Sequence, residues 1–239
     1  YVIFRDKKLG FSAEDLRRTD MTYVRDYART SFFFIITGLM FGVSTALQTV
    51  ILGHMTDSAI AANSVASTLF QLLKVGSVGA ASAAAVIIGT TVGAGDDEKL
   101  HEYTKTLQVI FVMIGTLMSV SLFFLRDPIL SLYSLSPETL SLARSFILVL
   151  CVTGFGTAYE FPTICGIIRG GGDTKFAFKN DLVSIWGIVL PLSFLGAFCF
   201  GWSPTVLVFC LNSDQLFKCV IAAIKANSYS WARTLTRGS

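Results

Sequence analysis

Six long apolar stretches, almost free of charged side chains, constrain this chain more than any other feature of its sequence. The first, residues 31–56, contains no Asp, Glu, Lys or Arg. A helix needs about 20 mostly apolar residues to cross the hydrocarbon core of a bilayer. Charged residues make up 15% of the 239 residues, against roughly 25% in a soluble domain. This composition excludes a disordered chain and a soluble core, and it predicts an all-α, polytopic membrane protein.

The apolar stretches predict six membrane-spanning helices. Their expected positions are about 31–55, 58–92, 104–125, 139–168, 181–200 and 204–226. The second stretch is interrupted only by Lys74 and is too long for one straight crossing, so it fits either one long kinked helix or two helices.

The distribution of basic residues decides between six and seven crossings. With six, fifteen of the 19 Lys and Arg residues lie on one side of the membrane, and only Arg126 and Arg144 lie on the other. A seventh crossing would put the later basic clusters opposite the basic N-terminal segment. Because cytoplasmic loops carry the excess of Lys and Arg, we expect a multi-pass cell-membrane protein with six spans and both ends in the cytoplasm.

The two ends of the chain are expected to lie in the cytosol. Residues 1–30 are predicted to be a connecting segment, in which a capping pattern at Ser12–Asp15 opens a charged helix on the membrane surface. The apolar start, Tyr1–Phe4, resembles the last turn of a preceding helix. Residues 227–239 are predicted to be a basic cytosolic tail.

Two acidic residues inside the predicted spans are candidates for ion coupling, because ionisable groups in a bilayer are costly and usually functional. Glu160 is followed closely by Pro162, which frees backbone carbonyl oxygens that favour a cation. Its alternative role is a structural ion pair with Lys74. Asp214 precedes Lys218 by four residues, which also favours an ion pair that docks the helix.

Polar side chains in the spans are candidates for the wall of a substrate cavity. They are Gln48, Asn63, Tyr159 and Asn212. The commoner role of such residues is to tie two helices together. Asp181 is expected to begin the fifth helix at the membrane interface.

Two glycine-rich segments, 92–99 and 169–175, are expected to end long helices on the inner side. The second contains a structural motif made of Arg169, Gly170, Gly171, Gly172 and Asp173. Neither segment has the ending of a phosphate-binding loop, and Gly-rich helix termination with a tight turn explains both. The sequence shows no metal-ligand spacing, nucleophile triad or disulfide framework, so we expect neither an enzyme nor a protein that binds a cofactor or nucleic acid.

An ordered series of motifs identifies a resemblance to a known family. The series comprises Ala46–His54, Ala59–Ala62, Ile88–Gly95, Gly166–Lys175 and Trp186–Leu192. It resembles the C-terminal half of the multidrug and toxic compound extrusion (MATE) family. The resemblance implies twelve helices in two six-helix lobes, with this chain supplying helices seven to twelve. It also implies export of organic cations and other amphipathic compounds in exchange for Na⁺ or H⁺, with membrane lipid and an N-terminal lobe as partners.

One departure from the family pattern affects the candidate site. Several branches of the family place a Glu in the first helix of the C-terminal lobe, whereas Ser31–Thr56 contains no acid and only Gln48 in its second half. Other branches of the family place the coupling carboxylate in the N-terminal lobe, and Glu160 is the candidate within this chain. Two other functions stay open, namely a flippase-like transporter of a lipid-linked or anionic substrate and a non-transporting membrane subunit or remnant.

Overall fold

The computed structural model describes residues 21–232, and these residues form six long helices joined by short turns. The helices are α1 (Met21–Gly53), α2 (Asp57–Ala94), α3 (Asp97–Leu130), α4 (Pro137–Ile168), α5 (Thr174–Phe198) and α6 (Pro204–Asn227). Each contains a stretch that is long and apolar enough to cross a membrane, in α1 from Ser31 onward. The predicted all-α fold with six spanning helices is therefore confirmed.

The second apolar stretch is a single helix rather than two crossings. The hydroxyl of Thr56 accepts a hydrogen bond from the backbone N–H of Ala59 at its start. At its end Gly95 has φ +69°, a left-handed conformation that suits glycine and terminates the helix. No residue between these two caps stops the helix.

Two predicted helix boundaries are wrong. Residues 21–30 belong to α1 itself and not to a separate surface helix, because neither Gly nor Pro interrupts residues 21–37; the earlier part of that predicted segment lies outside the described residues. The fifth helix begins at Thr174 and not at 181, since the carboxylate of Asp173 accepts a hydrogen bond from Phe176 N at 3.1 Å. Asp181 is therefore an internal residue of α5 and not its first.

Helices α4 and α5 each contain a wider, π-helical segment. In α4 it covers Thr163–Ile168 and follows Pro162, which has no N–H to continue the α-helical pattern. The N–H of Arg169 bonds to Ile164 O, five residues back, at 2.9 Å. In α5 the π-helical segment covers Leu182–Val189. Such segments are rare and occur frequently at functional sites.

Helix α4 lies at the centre of the lobe and packs against α2, α3 and α6. Small residues permit this close contact. A Cβ atom on Gly166 would lie 2.8 Å from Ala81 O of α2, and one on Gly156 would lie 2.6 Å from Gln215 O of α6. Helix α1 packs mainly against α5. The arrangement brings the middle of α4 beside both α2 and α6.

The first residues after α6, which the sequence assigns to a cytosolic tail, pack against the six helices. Trp231 is fully buried, and its indole Nε1 donates to Ala226 O at 2.8 Å. Lys225 Nζ lies 3.0 Å from Asp173 Oδ2 in the α4–α5 turn. The apolar indole is the reason that this segment packs instead of extending into water. Residues 233–239 lie outside the described part of the chain.

Candidate functional site

A buried ionic cluster joins α5 and α6 next to the middle of α4. Lys218 Nζ lies 3.0 Å from Asp214 Oδ2 and 3.0 Å from Asp181 Oδ1. The side chains of Lys218 and Asp214 are only 4% and 5% exposed. The four-residue spacing in α6 places Asp214 beside Lys218, while the packing of α5 against α6 brings in Asp181.

Arg169 extends this cluster to the end of α4. Its Nη2 atom lies 3.7 Å from Asp181 Oδ2, so Asp181 contacts cations from two different helices. The turn that follows depends on Gly172, whose φ of +102° is open to glycine and strained for other residues. The Arg-Gly-Gly-Gly-Asp segment thus closes α4, opens α5 and contributes one cation to the cluster.

Glu160 lies beside the cluster but is not paired within it. It is 7% exposed and lies within electrostatic reach of Lys218, Asp214, Asp181 and Lys74. Within residues 21–232, its carboxylate has no ion-pair or hydrogen-bond partner. The two cations of the cluster contact Asp181 and Asp214, so the carboxyl group of Glu160 is buried without a counter-ion in contact.

The alternative role of Glu160, an ion pair with Lys74, is not found. The ammonium of Lys74 lies over the ring of Phe161, 5.2 Å from the centroid. A cation over an aromatic face is a favourable contact, but it leaves the Glu160 carboxylate without a counter-ion in contact.

A freed backbone carbonyl and a small polar side chain lie within three residues of Glu160 in α4. Pro162 lacks an N–H and so frees the carbonyl of Ala158 from its helical bond. One turn earlier, Thr157 Oγ1 donates to Gln215 Oε1 at 3.0 Å, and Gln215 Nε2 donates to Asp214 Oδ1 at 3.3 Å. This chain of hydrogen bonds links α4 to the cluster. A carboxylate with neighbouring oxygen atoms suits either a proton or Na⁺.

The predicted residues of the cavity wall form no hydrogen bond with Glu160 or Asp214 in the described part of the chain. Tyr159 donates its hydroxyl to Gln108 Oε1 on α3 at 2.8 Å, and Asn212 Nδ2 donates to Val208 O in its own helix at 2.8 Å. Gln48 and Asn63 are partly exposed, and their side chains have no hydrogen bond to the part of the chain that the structure describes. Of the predicted residues, Glu160, Asp214 and Arg169 lie at or beside the ionic cluster.

Sequence reasoning missed Asp181, Thr157 and Gln215 as members of this site. The position of Asp181, an acid directly before an apolar stretch, could have marked it as a site residue. The same position equally suits a residue at the membrane interface. Thr157 and Gln215 gave none beyond their polarity. For metal ions, no group of three or more His, Cys, Asp or Glu residues is arranged as ligands among residues 21–232.

Comparison with known proteins identifies a family of transporters. The model of the MatE family matches residues 34–195. A probable multidrug resistance protein NorM of Bacillus cereus is 26% identical over 158 residues, which cover 66% of this chain and 35% of that protein. A probable NorM of Xanthomonas axonopodis pv. citri is 25% identical over 186 residues, covering 76% and 39%. The chain thus spans less than half the length of these relatives.

Two solved structures share the fold. An outward-facing multidrug resistance MATE family transporter of the MOP superfamily matches 87% of this chain and 46% of its own, with a TM-score of 0.78 and 15% identity. A MOP superfamily transporter from Pyrococcus furiosus matches 83% of this chain and 43% of its own, with a TM-score of 0.69 and 16% identity.

Proposed function

Because the chain belongs to the MatE family, we propose that it is the C-terminal lobe of a secondary transporter that exports drugs or organic cations in exchange for Na⁺ or H⁺. Six spanning helices, and a match to slightly less than half of a solved transporter, support a single lobe. The sequence motifs support the C-terminal one. The partner of this lobe is then an N-terminal lobe of the same protein, within a cell membrane and with both ends in the cytoplasm.

The observation that carries the coupling mechanism is the buried, unpaired carboxylate of Glu160. A charged carboxylate is costly in a low-dielectric interior unless a cation or proton compensates it. In our proposal the outward-open state binds the ion at Glu160, and the inward-open state releases it. The ion can drive export only because its affinity differs between the two states.

The position of Glu160 links ion binding to the movement of helices. Its helix packs against α2 and α3 on one side and α6 on the other. Thr157 connects it through Gln215 to Asp214. Compensation of the Glu160 charge changes the field at Asp214 and Lys218, and so changes which packing of α4 against α6 is favoured. The π-helical segment after Pro162 provides a place where α4 bends.

The test is ethidium efflux from cells that carry the full-length protein, with Na⁺ and pH gradients imposed separately. We expect wild-type efflux to follow one of the two gradients. Glu160→Gln removes the ionisable group but keeps the shape of the side chain, and is expected to abolish the gradient-driven component. The matched control is Glu138→Gln in the first turn of α4, an exposed acid far from the cluster, which is expected to leave efflux unchanged.

Two outcomes would contradict the proposal. Gradient-driven efflux that survives in Glu160→Gln would place the coupling carboxylate elsewhere. A wild-type protein without efflux under either gradient would argue for another substrate or for a non-transporting membrane protein.

A further inference from the structure

Lys74 is a second ionisable residue within the spanning helices that the coupling mechanism does not use. It lies near the middle of α2 and is partly exposed. A lysine at this depth is too costly to face lipid, so its ammonium faces a polar or water-filled space or a charged partner. In residues 21–232 the ammonium has no ion-pair partner and no hydrogen-bond partner. Within these residues, no direct contact neutralises its charge.

The other cation in the middle of the lobe is not available. Lys218 is 4% exposed on its side chain and contacts two carboxylates at 3.0 Å. Lys74 is partly exposed, and its ammonium contacts no carboxylate in the described residues but lies 5.2 Å from the ring centroid of Phe161. A cation–π contact orients an ammonium group without neutralising it.

The surroundings of Lys74 combine charge with apolar and polarisable surface. Phe161 and Cys165 lie four residues apart on α4, on the same side of that helix, and both are partly exposed. Glu160, the residue before Phe161, is buried. The accessible edge between α2 and α4 therefore presents the ammonium of Lys74 beside the ring of Phe161. The carboxyl group of Glu160 is buried and is not part of this edge.

We propose that Lys74 and Phe161 form a subsite for the anionic group of an amphipathic substrate, with a carboxylate as its typical form. This inference rests on the proposed transport function and narrows its substrate class. The ammonium pairs with the anion by a charge-assisted hydrogen bond, and the ring of Phe161 contacts the apolar body next to it. Zwitterionic amphiphiles are then preferred over simple cations.

Binding of two fluorescent dyes to the purified full-length protein in detergent tests this subsite. One dye is the zwitterionic rhodamine with a free carboxylate, and the other is its methyl ester, which is a cation of nearly the same shape. Fluorescence anisotropy gives the Kd of each. In wild type the acid is expected to bind more tightly than the ester. Lys74→Met is expected to weaken binding of the acid about tenfold, and to leave the ester within about twofold.

Two further variants separate charge from packing. Lys74→Arg keeps the charge and is expected to retain most of the preference for the acid. Lys105→Met removes an exposed lysine of α3 and is expected to change neither Kd. Equal loss of both dyes in Lys74→Met, no change in either, or a wild-type protein that does not prefer the acid would overturn the proposal. Since anisotropy needs no ion gradient, this result is independent of the efflux test of Glu160.

Discussion

The side chain of Lys218 is 4% exposed, and its ammonium contacts one carboxylate from its own helix and one from α5. Removing one partner of a buried ion pair leaves an uncompensated charge, and this costs more than the pair itself contributes. Lys218 holds Asp214 and Asp181 at the same time. At the scale of single residues, it is therefore the position where a loss of charge has the largest consequence for stability.

We expect Lys218→Met to lower the free energy of unfolding by about 3–5 kcal/mol, because the buried Asp214 loses its counter-ion and Asp181 keeps only the longer contact with Arg169. Asp214→Asn is expected to cost less, about 1–2 kcal/mol, since Lys218 stays paired with Asp181. Equilibrium unfolding in mixed micelles of increasing SDS content measures both values. A Lys218→Met protein as stable as wild type would show that the carboxylates find another partner.

At the scale of elements, the α4–α5 turn and the segment after α6 hold each other in place. A Cβ atom on Gly171 would lie 2.2 Å from the ring of Trp231, so the indole packs directly on the backbone of the turn. Lys225 bonds to Asp173 in the same turn at 3.0 Å. The glycine-rich segment thus ends α4 and also provides the surface on which Trp231 and Lys225 pack.

Gly171→Ala is expected to displace Trp231 from its buried position, because the backbone beneath the ring cannot move away without disturbing α4. We expect a loss of roughly 1–3 kcal/mol and a red-shifted emission of Trp231, recorded with Trp186 and Trp202 replaced by Phe. Gly93→Ala serves as the control, as a Cβ there meets no atom within 4 Å. Unchanged Trp231 emission in Gly171→Ala would refute this packing.

At the scale of the whole molecule, the six helices and the loop charges predict which side of the membrane each loop faces. Cys199 follows α5 directly and is exposed, in a loop that carries no Lys or Arg. Lys99 lies at the opposite end of the lobe, in the first turn of α3. The excess of Lys and Arg on that side predicts that Cys199 faces the exterior.

In intact cells, a membrane-impermeant maleimide is expected to label Cys199 in a full-length protein that is freed of its other cysteines. Moving the thiol by Cys199→Ser with Lys99→Cys is expected to prevent labelling until the cells are permeabilised. If the Cys at position 99 were labelled in intact cells and Cys199 only after permeabilisation, the first and last helices would have their outer termini outside the cytoplasm.

The sequence by itself determined the all-α fold class and the number of helices that can span a membrane. The reason is that an apolar stretch of about 20 residues has to satisfy its own backbone hydrogen bonds in a bilayer, and only a helix does so. Charge distribution favoured six spans, and turn chemistry at Gly95 and Gly172 marked helix ends. The sequence also proposed Glu160 and Asp214 as candidates, because charged residues inside apolar stretches are conspicuous.

Only the tertiary structure decided which of these charges meet. Asp181 lies 37 residues before Lys218 in the chain, and no local pattern predicts their contact. The sequence equally allowed Lys74 as the partner of Glu160, but the packing of α2 against α4 places its ammonium over Phe161. Ion pairs between helices depend on helix rotation and crossing, which follow from the packing of small residues such as Gly156 and Gly166 over the whole interface.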